Sequence, residues 1–177
     1  SSQVCGDGTT ANDTSGIVYV VDVVANAQKA GCGQAGRTVQ FYFVGANLAV
    51  MHGAARTQYV ETMVRAREDG IMVGRIWALG EGDGTESLDR QGTLFRTGPD
   101  GWNEAAFVHL DRVIAAARMS GMKLIIVLAN AWADYGGIPM YLRWIGHPDP
   151  AAYGASDSFY TNERARELYK EHVRRVV

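Results

Sequence analysis

The chain has 177 residues, 47% of them hydrophobic, with 17 basic against 19 acidic side chains and a net charge of −2. That size supports one sizeable core. The charge balance removes the electrostatic case for a nucleic-acid or anionic-membrane partner, and no apolar run is long enough for membrane insertion.

Residues 1–16 are rich in Gly, Ser, Thr and Asn and read as an N-terminal coil, with 17–177 as one domain. The chain begins Ser-Ser, without an initiator Met or a signal-peptide pattern, and so reads as processed or trimmed. Cys5 and Cys32 are its two cysteines. With no Cys-x-x-Cys or Cys/His cluster beside them, no metal site is expected. They read as one disulfide across the N-terminal region, with free thiols as the alternative. Asn12-Asp13-Thr14 is an N-glycosylation sequon. Sequon and cysteines together point to a secreted, extracellular protein.

Ile17 to Val24 and Thr38 to Val44 are rich in β-branched and aromatic residues, and Gly31 to Gly36 has turn composition. This predicts a hairpin leading into a first barrel strand that ends at Val44-Gly45-Ala46-Asn47. Arg56 to Asp69 reads as a helix burying Tyr59, Met63 and Ala66, closed by Gly70. Ile71 to Leu79 is the next strand, and a long Gly/Asp/Glu/Thr loop runs to Trp102. Asn103 caps a helix with an expected inward stripe of Phe107, Leu110, Ile114 and Ala117, ended by Gly121. Lys123 to Asn130 is the third strand. After a second long loop, Thr161 and Glu163 open a helix with the stripe Ala165, Leu168, Tyr169, His172, Val173 and Val176.

Strands alternating with helices predict an α/β fold with a parallel, right-handed sheet. Both long loops follow strands and gather at the carboxyl end of the sheet. That asymmetry belongs to a (β/α)8 TIM barrel, here about three βα units plus the hairpin. A whole barrel takes about 250 residues, and Arg174-Arg175-Val176-Val177 falls inside a helix. The expectation is the N-terminal part of a longer barrel, incomplete at its C-terminus.

The apolar run Leu124 to Leu128 delivers Asn130, Trp132, Asp134 and Tyr135 into a loop ending Gly136-Gly137. Ligands bind at the carboxyl ends of such strands. Ring faces stack on pyranose and an amide reads hydroxyls, so a sugar site is the functional reading; the rival is that Trp132 and Tyr135 roof the core. Glu81, Asp83, Glu86 and Asp89 lack the EF-hand pattern and read as a solvated loop. His52, His109, His147 and His172 lack ligand spacing, and the two on helices, His109 and His172, read as surface or boundary residues. Ser15-Gly16 and Gly31 to Gly36 match no phosphate-binding loop.

Five motifs in order carry a resemblance. Tyr42-Phe43-Val44-Gly45-Ala46-Asn47 resembles the first strand of glycoside hydrolase family 5, the retaining (β/α)8-barrel glycosidases, and Gly74-Arg75-Ile76-Trp77-Ala78 resembles its second. Pro99 to Glu104, with Phe107, Leu110-Asp111 and Val113-Ile114, is similar to the opening of its second helix. Asn130 to Gly137 resembles the Asn-Asn-Trp-x-Asp-Tyr-Gly-Gly motif after the third strand. Asp157 to Thr161, then Tyr169 to Val173, is similar to the lead into the third helix. The set is most like the endo-β-1,4-mannanase branch.

The resemblance implies hydrolysis of a β-1,4-linked polysaccharide, foremost mannan, by two carboxyl groups and without a cofactor. In the family these are glutamates ending the fourth and seventh strands, the former in an Asn-Glu-Pro. No Asn-Glu-Pro occurs here, and Asn103-Glu104 and Asn162-Glu163 read as helix cap plus first-turn acid. The catalytic pair is therefore expected after Val177, with the remainder of the barrel as structural partner. Arg75 is implied as a support that holds the nucleophile ionised, against a structural ion pair as the alternative. Asn47, Trp77, Asn130, Trp132 and Tyr135 are implied to bind substrate. Ala131 stands where the motif has a second Asn, and Ala49-Val50-Met51-His52 lacks the usual aromatic. These departures keep open a non-catalytic glycan-binding or structural protein that reuses the barrel.

Overall fold

A computed structural model describes residues 42–53, 55–85, 93–151 and 154–177. The predicted coil, the predicted hairpin as far as residue 41, Asn12, Cys5, Cys32, Glu86, Asp89 and the side chain of His52 lie outside the described residues, while Tyr42 to Val44 are described and precede the first strand.

The order is β1 (Gly45–Asn47), a 3-10 turn (Ala49–Gly53), α1 (Arg56–Glu68), β2 (Val73–Trp77), α2 (Glu104–Ser120), β3 (Lys123–Val127), α3 (Gly137–Trp144), α4 (Ala155–Thr161) and α5 (Glu163–Val176). The strands form one sheet in the order β1-β2-β3. Both pairings are parallel, with Asn47 opposite Arg75 and Trp77 opposite Val127. The three predicted strand ends are thus adjacent, parallel and in sequence order.

Local chemistry sets the helix boundaries. The Gln58 side chain accepts the Ala55 N–H at 2.8 Å, satisfying a donor that the start of α1 leaves free. Asn103 accepts the Ala105 N–H at 3.2 Å and caps α2. Asn162 does the same for α5, accepting the Ala165 N–H at 3.1 Å. At the far end of α2, Gly121 takes φ +71°, the left-handed turn that glycine adopts without penalty.

The main core lies between the sheet and the pair α1–α2. Ile76 and Leu124 pack there with Tyr59, Met63, Leu110, Val113 and Ala117. Each large apolar side chain so buried contributes about 2 kcal/mol of transfer free energy. The stripe of α2 is rotated from its expected line. Leu110 and Ala117 are buried, but Ala106 and Val113 take the centre while Phe107 and Ile114 are half-buried. The helix packs against α1 as well as against β3.

The loop expected after β3 contains two short helices, which is a correction. Ile138, Tyr141 and Leu142 of α3 meet Phe159 of α4 and Leu168 of α5 in a second core. The turns are too short, and too mixed with Gly and Pro, for periodicity to separate them from loop. Among the described residues no helix is long and apolar enough to cross a membrane.

Candidate functional site

Side chains alternate across a strand. In β2, Ile76 points into the helix-side core, so Arg75 and Trp77 share the opposite face. Arg75 Nη1 donates to Asn47 Oδ1 at 3.0 Å, joining two of the predicted site residues at the ends of neighbouring strands. Trp77, two residues further on, meets the Tyr135 ring edge-on, with centroids 5.2 Å apart. The structure thus pairs four of the six candidates, two by two.

The loop after β3 holds the others. Asn130 Nδ2 donates to the Asp134 carbonyl at 2.9 Å, and its Oδ1 accepts the Trp132 N–H at 3.2 Å. Its side chain therefore shapes the loop that carries Trp132 and Tyr135. The Trp132 side chain is 75% exposed and offers an open ring face to solvent. Gly136 and Gly137 both have positive φ. A Cβ on Gly136 would overlap the Glu81 carbonyl, and one on Gly137 would overlap the carbonyls of Asn130 and Trp132. The Gly-Gly pair is what lets this loop fold back on the one after β2.

Two readings of single residues are corrected. Glu81 is 1% exposed and is no part of a solvated acidic loop. Its carboxylate accepts the Gly137 N–H at 3.0 Å and the Tyr141 hydroxyl at 3.1 Å. Burial raises its pKa to about 7, against the opposing pull of these bonds and of Arg96. Its neighbour Asp83 is exposed as expected, bonded to Thr85 and Arg143. His172 is no boundary residue: it is buried, with Nε2 2.7 Å from the Ala78 carbonyl. Burial lowers its pKa to about 4, so the ring is neutral at pH 7 and Nε2–H donates. His109 is a boundary residue, half-buried and bonded to the Met51 carbonyl at 3.1 Å.

Sequence reasoning missed Arg96. Its side chain is wholly buried. It donates to the carbonyls of Leu168 and Pro99 and to Glu171 Oε2, the last at 3.1 Å. Its guanidinium lies 4.2 Å from the Trp102 ring centroid and 5.2 Å from that of Trp144. The available signal was a cation directly after Leu94-Phe95 in a loop otherwise polar. Among the described residues there is no group of three or more His, Cys, Asp or Glu placed to hold a metal ion.

A cationic strand end, an amide and a ring pair on one rim suit a sugar and its reacting carboxyl groups. A family model described as GH family 5 beta-mannosidase-like matches residues 26–177. The chain belongs to this family. Its family 5 relatives include mannan endo-1,4-beta-mannosidase 1 of Arabidopsis thaliana, 32% identical over 77% of this chain and 30% of that protein. Mannan endo-1,4-beta-mannosidase A of Podospora anserina is 30% identical over 77% of this chain and 36% of that protein. Among solved structures, the endo-beta-1,4-mannanase from Thermotoga petrophila matches with TM-score 0.64 and 33% identity, covering 76% of this chain and 29% of that one. The endo-1,4-beta-mannanase from Rhizomucor miehei matches with TM-score 0.63 and 25% identity, covering 77% and 38%. This family 5 chain is a partial TIM barrel, as its motifs predicted, and it spans about a quarter to a third of the length of the curated relatives it matches.

Proposed function

We propose that this chain is part of an endo-β-1,4-mannanase that cleaves mannan with retention of anomeric configuration. The observation that carries the reading is the match to relatives named mannan endo-1,4-beta-mannosidases, together with a family model over residues 26–177, the stretch that holds Asn47, Arg75 and Asn130 to Gly137. In a retaining enzyme one carboxyl group protonates the leaving oxygen while another, about 5–5.5 Å away, attacks the anomeric carbon; the first then activates water. Both groups belong, in this reading, to strands beyond the three described. Arg75, oriented by Asn47, supplies positive charge that keeps the attacking carboxyl ionised. Trp77, Tyr135 and Trp132 wall the cleft, and Asn130 adds an amide. Secretion, a Cys5–Cys32 disulfide and glycosylation at Asn12 complete the proposal.

The test is an assay of β-1,4-mannan hydrolysis by the full-length polypeptide and by residues 1–177 alone, with the product anomer followed by proton NMR. Turnover with retention is expected for the former and none for the latter. A full-length polypeptide that binds mannan without cleaving it supports the non-catalytic alternative. Thiol labelling without reductant and a glycosidase mobility shift test Cys5, Cys32 and Asn12.

A further inference from the structure

Two loops leave the carboxyl ends of β2 and β3, and Glu81 in the first grips the second loop and the helix α3 that ends it at three points. Its backbone N–H donates to the Tyr135 carbonyl at 2.9 Å. Its Oε2 accepts the N–H of Gly137, the first residue of α3, and its Oε1 accepts the hydroxyl of Tyr141 in the middle of that helix. Its carbonyl sits so close to Gly136 that no side chain fits between them. The gripped segment includes Tyr135, a non-glycine residue at φ +60°. Tyrosine holds that left-handed conformation only where its surroundings impose it. The Tyr135 ring is the one that meets Trp77.

We propose that Glu81 is a positioning residue: it pins the loop after β3 onto the loop after β2 and so holds Trp77 and Tyr135 as one rigid wall of the sugar cleft. The proposal rests on the mannan reading above. Glu81 is buried and touches no sugar; it acts through Tyr135 and Gly137. With the pin removed, the Gly137 N–H and the Tyr141 hydroxyl lose a buried acceptor, and the loop gains conformations in which the wall is absent. The loss then falls on binding of the extended glycan more than on the chemical step.

The experiment uses the full-length polypeptide and its Glu81→Ala, Glu81→Gln and Tyr141→Phe variants. Two readouts are taken: amide hydrogen exchange over residues 131–137, and kcat and KM on mannohexaose. Glu81→Ala is expected to speed exchange by about tenfold and to raise KM by about tenfold, with kcat within about threefold of the parent. Glutamine keeps an acceptor for Gly137 and a donor towards the Tyr141 oxygen, so Glu81→Gln is expected to stay within about threefold of the parent in both. Parent-like exchange and KM in Glu81→Ala overturn the proposal, as does a Glu81→Gln variant no better than Glu81→Ala. Should Glu81→Ala fail to fold, Tyr141→Phe decides: it removes one of the three grips, is expected to move both readouts part of the way, and overturns the proposal by moving neither. A parent that neither binds nor cleaves mannohexaose overturns the mannan reading, and with it the cleft, while the exchange data still judge the pin.

Discussion

Arg75 Nη1 stands 3.0 Å from Asn47 Oδ1, across the position where β1 and β2 are in register. One arm of the guanidinium fork is thereby tied to the neighbouring strand, which sets its plane at the rim of the sheet. A cation set in advance stabilises developing charge without reorganising during the reaction. Arg75→Ala in the full-length polypeptide is expected to lower kcat/KM on mannan by about a hundredfold or more, with the far-UV spectrum and melting temperature little changed. Parent-level activity would return Arg75 to a structural ion pair.

Trp132 separates stability from binding. Its side chain is 75% exposed, so Trp132→Ala removes little buried surface and is expected to change unfolding free energy by no more than about 0.5 kcal/mol. The same change should raise KM for mannohexaose several-fold by deleting a stacking face. A large drop in stability with unchanged KM would mean that Trp132 roofs the core after all.

Glu81 and His172 make opposite contributions to the pH dependence of stability, and Arg96 faces both. Burial raises Glu81 from 4.5 to about 7, so the folded chain holds its proton more tightly. That contribution is complete below pH 4.5 and is lost as pH rises through 7. Burial lowers His172 from 6.5 to about 4, so its contribution is complete above pH 6.5 and is lost as pH falls through 4. Between pH 4.5 and 6.5 the two slopes oppose and largely cancel. The stability difference between parent and Glu81→Gln should therefore fall from pH 4.5 to 7 by on the order of 3 kcal/mol. The difference between parent and His172→Gln should fall by a similar amount from pH 6.5 to 4. Urea melts across this range check both, and differences that do not move with pH would contradict the assignment.

Arg96 is a costly side chain to remove, because it is charged and wholly buried. Its charge is out of water, and its two terminal nitrogens meet carbonyl oxygens and Glu171 while two indole faces flank it; its buried Nε has no hydrogen-bond partner among the described residues. Arg96→Ala leaves a cavity and unpaired acceptors, and should destabilise by about 3–5 kcal/mol in a urea melt. Arg96→Lys should recover little of this, since an ammonium cannot fill the fork or lie flat against two rings.

What could be read in the sequence divides along periodicity. The helix faces of Tyr59, Met63 and Ala66, and of Ala165, Leu168 and His172, are set by spacing, and the structure buries them. The strand ends carrying Asn47 and Arg75 were visible because a short apolar run delivers each to a loop. Glu81 and Arg96 were not visible. Each is a charged residue in a loop, which composition assigns to solvent, and its burial depends on partners about 56 to 75 residues further along the chain. No local pattern reports a partner at that distance. The same holds for His172, which repeats correctly on α5 yet meets a carbonyl at the end of β2.

That last bond has a consequence for how the protein is made. Ala78 and His172 are 94 residues apart. At a synthesis rate of roughly 5–20 residues per second, the end of β2 leaves the ribosome roughly 5–20 seconds before its partner exists. Phe95 and Trp102, whose rings lie against His172, follow Ala78 in the chain and are without that neighbour for most of the interval. The nascent chain therefore carries Phe95 and Trp102 without the ring that packs beside them until α5 has been translated, a window in which an unfinished core is open to contact with another chain.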